Sequence, residues 1–506
     1  MSKIRLHGSS SGYVEIAPAA AASNNTLTAP STVGEIIAKD AAGAIGITSM
    51  KASNINVGAA VTITESGIEA SGIGITCVSI NGGMIGGRRN IIINGAMNVA
   101  QRGISTTSNS YGSVDKMSLG EGGLDETCTQ AQVDVASGTS PYTLGFRKAL
   151  KITNGNQTNG AGATDIIQVV YTIEDQDLAT SCWNYTSSSS YITLSFWVKS
   201  SVAQNFYFFL QSDNGSQYRY VMETGSLTAD TWTKIVKTIP GNSNIVLNND
   251  NGVGMFIIWQ QFDGTDRTGT RPLSAWAALD DTAKTPDQTS TWYTTNDATW
   301  EITGIQVEVG SQATAFEHRS FNEELNLCKR YYYKSYAYET APGTADSFLN
   351  QLVGRAYASV QNRMELNTRF EVEMRTTPTI TTYTPSGGTT GKVEDYASGN
   401  GSAAGTARDV SAVRNLGNKG FGGITVSPAQ DGVLGVHYTA DAEFSLMTYT
   451  YQKIADLDDS GNKTGDMTDC IKRKEDNAFI PFDNGNVDYQ EYLAWVAAGN
   501  TPEASP

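Results

Sequence analysis

The sequence predicts a mainly β protein, an elongated, multidomain, trimeric fibre with an intertwined β stalk, a jelly-roll sandwich and a smaller C-terminal β domain. Of the 506 residues, 39% are hydrophobic, only 17% are charged and 51 are glycine, a composition that favours strands and turns over amphipathic helices. Long stretches alternate apolar with polar residues, as half-buried strands do. Because a single core does not keep growing to this length, we expect separate segments at 1–36, 37–89, 90–319, 320–453 and 454–506.

The segment 37–89 is the predicted stalk, and residues 1–36 before it are expected to be extended. Gly-Ile steps recur at Gly46-Ile47, Gly67-Ile68, Gly72-Ile73 and Gly74-Ile75, and the segment contains no large aromatic residue. Short strands of such small residues bury little surface in a single chain. We therefore expect three chains to wind around one axis and share an interior, with a flexible glycine-rich linker as the alternative.

The segment 90–319 carries a clear period-two pattern bounded by Gly, Asn and Ser turns. Ile192, Leu194, Phe196 and Val198 form one face of a predicted strand. Further strands are predicted at 146–152, 167–171, 206–210, 233–239, 253–260 and 302–309. Many strands without intervening helices predict a two-sheet sandwich, most economically a jelly roll. Two Asp-Asn-Gly turns, at 213–215 and 250–252, are expected to supply the positive φ of tight hairpins.

A helix and a small β domain are predicted for 320–453. Ser320 and Glu323 form a capping-box pattern ahead of apolar residues at helical spacing, which predicts a helix over 321–333. Strand alternation returns after this helix on both sides of a polar, glycine-rich stretch. The two strand regions are 348–380 and 432–453, and the stretch between them is 385–424.

The last segment, 454–506, is predicted to hold a polar turn region at 456–470 and a short C-terminal helix. Asp488 and Glu491 form the capping box of this helix, and Gly499 ends it.

Charge and cysteine content exclude several classes of function. The 35 Lys and Arg residues against 51 Asp and Glu residues give a net charge of -16, which lacks the attraction to phosphate that nucleic-acid binding needs. It also provides no long-range steering to an anionic surface, so adhesion has to be short-range. No two cysteines lie close together in the sequence; they are at positions 77, 128, 182, 328 and 470. This spacing argues against a disulfide framework and against a zinc site. Without an apolar leader or a run of about 18 apolar residues, neither export nor membrane insertion is expected.

No catalytic site, cofactor or metal site is predicted. The histidines, His7, His318 and His437, are too scattered for a triad. Paired carboxylates could suggest glycoside hydrolysis, but surface charge is the favoured interpretation; the pairs are Glu323-Glu324, Asp280-Asp281 and Asp458-Asp459. The first half of a calcium loop is matched by Asp456, Asp458, Ser460 and Gly461. Its twelfth position, however, is Met467, where a bidentate carboxylate is required.

Aromatic residues in polar, turn-rich contexts are the candidate ligand-binding residues. A sugar ring packs its apolar face on an aromatic ring while its hydroxyls need polar partners. The candidates for a glycan platform are Tyr218, Trp276, Trp292 and Tyr293. For each of them, packing against a sheet or a neighbouring subunit is the competing interpretation. Phe196, Trp197 and Trp259 are assigned to the sandwich core or its covering face.

Residues 90–103, NIIINGAMNVAQRG, resemble the opening signature of the carbohydrate-binding-module-like jelly roll of bacteriophage tail-fibre and receptor-binding proteins. In that family a Tyr and then an Asp-Arg-Trp group follow. Here Tyr111 and Asp115 match, whereas Lys116 and Met117 replace the last two residues. The closing strand, the helix behind it and the small C-terminal domain are matched by 302–310 with 315–319, by 323–332, and by 373–380 with 441–444.

The resemblance implies a trimeric phage-tail adhesin that recognises a host cell-surface glycan, resides in the virion and is made in the host cytoplasm. Residues 12–16 and 25–30 are similar to a segment near the start of many phage structural chains, which marks a virion setting rather than a particular role. The leading hypothesis adds attachment to other tail or baseplate proteins through the N-terminal region. Residues 477–502 resemble the ends of phage chains. Two alternatives stay open: a structural head fibre, baseplate element or adaptor, and a polysaccharide depolymerase.

Overall fold

The computed structural model has two compact units, Met1–Thr76 and Cys77–Pro506. The residues described are 4–7, 13–16, 79–80, 83–84, 89–345, 348–357, 363–396, 405–427, 432–444, 451–457, 463–473, 479–482, 489, 492 and 502–505. In the first unit these residues form an antiparallel hairpin of β1 (Ile4–His7) and β2 (Tyr13–Ile16). The predicted stalk lies outside the described residues, except for Arg89 and a hairpin of β3 (Ser79–Ile80) and β4 (Gly83–Met84).

A β-sandwich occupies the first part of the second unit. Its strands are β5 (Ser105–Thr106), β6 (Met117–Gly122), β7 (Thr129–Asp134), β8 (Lys148–Thr153), β9 (Ile166–Glu174), β10 (Tyr191–Ser200), β11 (Asn205–Ser212), β12 (Tyr218–Ser226), β13 (Thr233–Pro240), β14 (Val253–Asp263), β15 (Trp276–Ala278) and β16 (Thr299–Val309). Short helices interrupt them at α1 (Ser140–Thr143), α2 (Asp175–Ala179) and α3 (Thr291–Thr294). Each segment predicted as a strand in this part of the chain overlaps an observed strand.

The strands form two six-stranded antiparallel sheets. Sheet I has the order β13-β10-β16-β8-β7-β5, and sheet II has the order β15-β12-β11-β14-β9-β6. The chain crosses between the sheets repeatedly, for example from β8 to β9 and from β9 to β10, so strands that follow one another face each other across the core. This is how a jelly-roll sandwich is built, and the prediction of a mainly β, sandwich-containing fold is confirmed. The trimeric fibre stays a prediction.

The inward faces of both sheets form one aromatic-rich core. Ile192, Leu194, Phe196 and Val198 are fully buried in it, as their alternation predicts. The ring of Phe196 packs edge-on against Phe208 and Trp259, with ring centroids 5.1 and 5.7 Å away. Trp259 is therefore a core residue, and the half-buried Trp197 covers the opposite face of sheet I. Each such buried side chain stabilises the fold by about 1.5–3 kcal/mol.

The two Asp-Asn-Gly turns behave differently. Gly215 has the expected positive φ, +68°. In the second turn the positive φ belongs to Asn249 instead, and the backbone N–H of Gly252 donates to the Asp250 carboxylate at 2.8 Å. The prediction for 250–252 was wrong because the Asp250 side chain closes that turn without a left-handed glycine.

The predicted helix is α4 (Phe321–Lys329), capped by the Ser320 hydroxyl, which accepts a hydrogen bond from the Glu323 N–H. It ends earlier than the predicted 333. The reason is tertiary: the residues that follow it form strand β17 (Tyr332–Lys334), which pairs with a strand far along the chain.

The second domain is an antiparallel sheet that closes on itself. Its strands are β17, β18 (Leu352–Tyr357), β19 (Arg363–Arg369), β20 (Thr379–Tyr383), β21 (Lys392–Asp395), β22 (Thr406–Arg414), β23 (Gly420–Ser427) and β24 (Gly432–Asp441). Hydrogen bonding runs β24-β18-β19-β23-β22-β21 and returns from β21 to β24. The C-terminal half of β24 pairs with β17 on one side and β20 on the other.

The polar stretch 385–424 therefore contributes three strands, contrary to the prediction of an excursion between strand regions. Strand β22 shows why the sequence concealed them: it mixes small, polar and charged residues with two valines in no regular alternation, and buries none of them fully. A period-two pattern needs an apolar face to be visible.

The tail forms a three-stranded sheet of β25 (Tyr451–Leu457), β26 (Lys463–Arg473) and β27 (Phe479–Pro481). The predicted turn region 456–470 is thus largely strand. Of the predicted C-terminal helix only Tyr489 and Tyr492 are described, and both are helical; the rest lies outside the described residues. Across the described part of the chain, no helix has the length and apolarity to cross a membrane.

Buried charges join the sandwich to the second domain. The Arg102 guanidinium lies 3.1 Å from the Asp441 carboxylate and 3.6 Å from that of Glu443, and stacks on the Tyr332 ring at 3.7 Å. The Lys116 ammonium lies 3.6 Å from Glu443 and 3.3 Å from the centre of the Tyr331 ring. Glu443 is almost fully buried, so its carboxylate compensates two cations that water cannot reach.

Replacing this carboxylate tests the junction. We expect Glu443→Gln to lower the free energy of unfolding by about 3–5 kcal/mol, because it leaves the buried Lys116 ammonium without its salt-bridge partner and removes one of the carboxylates that face Arg102. Lys148→Gln, which breaks the exposed pair with Asp134, is the control and should cost less than about 1 kcal/mol. Urea denaturation followed by tryptophan fluorescence measures both, and equal losses would contradict the assignment.

Candidate functional site

A groove runs across the outer face of sheet II. It encloses a cavity of about 600 Å³, within the range of saccharide and small-ligand sites. Cross-strand pairing places Val170, Ile258, Phe209 and Val221 in one row over four neighbouring strands. These four side chains form their own apolar cluster, separate from the sandwich core. The row is the deepest part of the outer face.

Polar rows flank this apolar row. On one side the pairing gives the row Thr172, Phe256, Gln211 and Arg219, and on the other it gives Gln168, Gln260, Tyr207 and Glu223. Gln168 and Gln211 line the cavity and are half-buried. A primary amide offers both donors and acceptors, so the two amides can bind hydroxyl groups on either side of an apolar surface.

Arg219 organises the wall of the groove. Its guanidinium donates to the Gln211 amide oxygen at 2.7 and 3.1 Å and to the Asp281 carboxylate at 3.0 Å. It also donates to the carbonyl of Asp280 at 3.0 Å and stacks on the Phe209 ring at 4.5 Å. The buried Arg219 side chain therefore holds the Phe209 ring at the floor of the groove, the Gln211 amide at its rim and the loop that follows β14.

That loop, residues 264–285, brings two more cations to the groove. A parallel bridge between Thr268 and Thr285 and a 2.7 Å hydrogen bond from the Lys284 N–H to the Arg267 carbonyl hold its two ends side by side. Arg267 and Lys284 both line the cavity. Burial lowers the pKa of Lys284, which the nearby Asp263 partly opposes.

Asp263 lies beneath these cations at the end of β14. Its side chain is fully buried; one carboxylate oxygen accepts a 2.5 Å hydrogen bond from Gln260, and the other has no hydrogen bond in the described structure. Burial raises the pKa of Asp263 to about 7, although Lys284 and Arg267 act in the opposite direction. The carboxyl is therefore close to half-protonated at neutral pH.

Trp292 and Tyr293, two of the four candidate platform residues, are core residues. Both lie on α3 and are at most 1% exposed. The Tyr293 ring stacks on Phe262 at 4.2 Å and its hydroxyl donates to Asp165 at 2.6 Å, while the Trp292 N–H donates to the Thr299 carbonyl. Because both rings are buried, neither can form an exposed platform for a sugar. This prediction was wrong because α3 turns both rings into the sandwich.

Tyr218 and Trp276 are half-buried and lie at the edge of sheet II, on β12 and β15. Trp276 packs on Tyr220, with ring centroids 5.3 Å apart, and its N–H donates to the Pro240 carbonyl at 2.7 Å. Tyr218 pairs with Ala278 on the neighbouring strand. The structure does not bring these rings together with Trp292 and Tyr293, and neither lines the groove. Their role in glycan binding stays a prediction.

The remaining chemically active side chains make internal contacts. His318 packs between Phe146 and Phe316 and bonds the Leu144 carbonyl at 2.9 Å. His437 lies on β24, as predicted, stacked on Tyr336. In the described part of the chain, Cys128, Cys182, Cys328 and Cys470 are free thiols, and no cluster of His, Cys, Asp or Glu is arranged to hold a metal ion.

The two members of a described carboxylate pair have different surroundings. Glu324 is buried and accepts hydrogen bonds from the Asn94 N–H and from Arg319, whereas its neighbour Glu323 is exposed. Asp281 pairs with Arg219, and Asp458-Asp459 lies outside the described residues. Of the half-matched calcium loop, Asp456 is part of β25, and residues 458–462 also lie outside the described residues.

The signature residues at 90–103 have a structural role. Asn94 has a φ of +59°, and its side-chain amide donates to the carbonyls of Val99 and Asp115, closing a tight loop. Arg102 belongs to the charged junction described above. The signature thus lies where the sandwich meets the second domain, away from the groove.

The sequence did not predict the groove. Its residues Val170, Phe209 and Ile258 occupy outward positions of predicted strands, which the two-sided pattern assigns to solvent. Arg219 and Val221 lie on β12, which the sequence did not predict. One signal was present: the run FYFFL at 206–210 is apolar at consecutive positions, which is typical of a strand covered on both faces.

No protein-family model and no curated protein sequence matches the chain. Solved structures similar to part of it include the enzymatically active domain of bacteriophage CBA120 tailspike protein 4, at 10% identity over 44% of this chain and 21% of that chain, with a TM-score of 0.25. A CBM4 structure is 13% identical over 43% of this chain and 97% of that chain, with a TM-score of 0.23. The N-terminal cellulose-binding domain of Cellulomonas fimi β-1,4-glucanase C is 11% identical over 43% of this chain and 99% of that chain, with a TM-score of 0.21. The chain spans 21% of the tailspike structure's length.

Removing the Arg219 side chain tests whether it organises the groove wall. We expect Arg219→Ala to cost about 1.5–3 kcal/mol of unfolding free energy, because charge-assisted hydrogen bonds to buried partners are lost. Amide hydrogen exchange should rise in residues 264–285 and stay unchanged in β13. Arg147→Ala, which removes an exposed arginine bonded to two carbonyls, is the control. Unchanged exchange in the loop would show that the wall forms without Arg219.

Proposed function

We propose that this chain is a trimeric adhesin of a bacteriophage tail that binds a saccharide of the host surface in the sheet II groove. One observation carries the binding part of the proposal: an apolar row of side chains lies on an outer sheet face between half-buried amides, within a cavity of about 600 Å³. The four residues of the row are at most 8% exposed, so the half-buried Phe256 beside them is the main apolar surface that a ligand in the cavity can reach.

The chemistry of the groove suits a sugar. A pyranose ring has an apolar face bordered by hydroxyl groups that donate and accept hydrogen bonds, so its site needs an apolar surface and polar groups of both kinds. Phe256 and Ile258 offer the first. Gln168 offers a donor and an acceptor, and Gln211, whose oxygen accepts from Arg219, offers its N–H donors. Rigid strands hold all four, which limits the ordering cost of binding.

The virion setting is supported by the sequence. Residues 90–103 and the later signatures resemble phage receptor-binding proteins, and the Gly-Ile segment is too poor in apolar bulk to fold alone. Three copies of a weak site on one trimer make the second and third binding events intramolecular, which raises the avidity for a repetitive surface glycan. The N-terminal region then attaches to other tail or baseplate proteins.

We propose binding without turnover. Among the described groove residues, Glu121 accepts a hydrogen bond from the Cys128 N–H at 2.9 Å and Asp281 is paired with Arg219, so each carboxylate has a structural partner. Glycoside hydrolysis needs two carboxyl groups that face one glycosidic bond, and both carboxylates that line the groove are already held by these structural partners.

A groove-filling substitution tests saccharide binding. We expect the full-length Gln168→Trp protein to lose binding to host cells and at least about tenfold of its affinity for host surface polysaccharide, since the indole occupies the cavity. Val236→Trp, at an exposed position on the outer face of sheet I, is the matched control and should bind like the wild type. Fluorescent labelling of cells and titration calorimetry are the measurements.

The contrary outcomes identify different errors. Equal binding by both variants would move the site elsewhere, and a wild type that neither binds cells nor competes with phage adsorption would be a structural connector.

Absence of turnover has its own test. After incubation with purified host polysaccharide, we expect no new reducing ends above a buffer control, because Glu121 and Asp281, the two carboxylates that line the groove, are held by structural partners. A rise in reducing ends that Gln168→Trp abolishes would make the chain a depolymerase.

A further inference from the structure

Positive charge is concentrated in the groove of an acidic chain. The net charge of the chain is -16, yet Arg219, Arg267 and Lys284 line one part of the cavity, against the carboxylates of Glu121 and Asp281. Like charges gathered in a concave site repel one another, and a site that keeps them close favours a ligand of opposite sign.

Two of these cations lack a matched partner. Arg219 is paired with Asp281 at 3.0 Å. In contrast, the contacts of the described residues include no hydrogen bond or salt bridge to the Lys284 ammonium. The nearest carboxylate oxygen to Arg267 is 4.0 Å away, on Asp263, and the buried Nε of Arg267 makes no hydrogen bond.

The buried carboxyl beneath them does not balance their charge. Asp263 has an oxygen without a hydrogen bond, although its side chain is fully buried. This one carboxyl faces two cations, Lys284 and Arg267, and burial raises its pKa to about 7, which weakens it as their counter-charge. An anion between the two cations would supply the missing charge.

We propose that the groove binds an acidic saccharide, with a carboxylate or phosphate group of the sugar lying between Lys284 and Arg267. This inference rests on the proposed saccharide-binding function and names the class of ligand. A guanidinium and an ammonium are the usual partners of such groups. The amide and apolar rows continue beyond the cations, which provides contacts that a free anion would not use. The charge of the whole chain disfavours a nucleic acid as the source of the anion.

A matched pair of ligands tests the inference with the full-length protein. Titration calorimetry would compare a hexuronic acid oligosaccharide with its carboxyl-reduced, neutral counterpart, and a third arm would use the neutral oligosaccharide bearing a phosphate monoester. We expect at least one acidic form to bind about tenfold or more tightly than the neutral form, the factor for one charge-assisted contact. The tighter acidic form names the group.

Charge-removing variants locate the effect. Lys284→Gln and Arg267→Gln should each remove most of the preference for the acidic form and leave affinity for the neutral form within about twofold, because only the ionic contact is lost. Lys234→Gln removes the same charge from an exposed position on the opposite sheet and should keep the preference. Two groove variants with separate positions guard against a folding defect in either one.

The pH dependence gives a second readout. The charged groups that face Asp263 are Lys284, Arg267, Arg219 and Asp281. As the pH rises from 6 to 8, Asp263 ionises and competes with the ligand for the cations, so affinity for the acidic oligosaccharide should fall. Lys284 can only add to this fall, since it loses its proton as pH rises. In Asp263→Asn the carboxylate never forms, so this variant should bind more tightly than the wild type at pH 8 and show a flatter profile.

The outcomes separate the two levels of the proposal. Equal affinity of the wild type for acidic and neutral forms would overturn the acidic-ligand inference and leave saccharide binding intact. Binding to neither form, nor to any host polysaccharide, would overturn the proposed function as well. A preference that survives in both Lys284→Gln and Arg267→Gln would overturn the assignment to this part of the groove.

Discussion

The burial of Arg102, Lys116 and Glu443 at one point is the constraint on which the second unit depends. Arg102 and Lys116 come from the loops that precede β6, and Glu443 follows the last strand of the second domain. Removing charges from water is costly, so the junction is stable only when all three partners are present together. The junction thereby links the sandwich to the second domain, although hundreds of residues separate Arg102 and Lys116 from Glu443.

The outer faces of the two sheets differ. The outer face of sheet I is covered in part by Phe146, Trp197 and Phe316, which form a small cluster of their own. The outer face of sheet II is instead lined by an apolar row and bordered by one loop, residues 264–285. Because Arg219 ties that loop to the floor of the groove, the wall and the floor are held as one rigid surface. Rigid surfaces bind weak ligands at a lower entropic cost.

Charge acts at two scales in this protein. At long range the net charge of -16 favours solubility and works against association with anionic surfaces. At short range Arg267 and Lys284 reverse the sign inside the groove, where the low polarity of the floor strengthens a contact with an anion. A ligand would therefore be selected after encounter, by fit and local charge. Asp263, with its raised pKa, makes that local charge dependent on pH.

The sequence by itself determined the β class, seven of the twelve sandwich strands, the core face of β10 and the start of α4, because each depends on local periodicity or capping. It could not determine the end of α4, the strands within 385–424 or the burial of Trp292 and Tyr293, because long-range pairing and packing decide them. The groove is the clearest case. Gln168, Phe209, Arg219 and Lys284 come from separate elements and belong to no motif. Only the lateral order of the strands in sheet II and the path of the loop 264–285, which no local pattern encodes, place them on one surface.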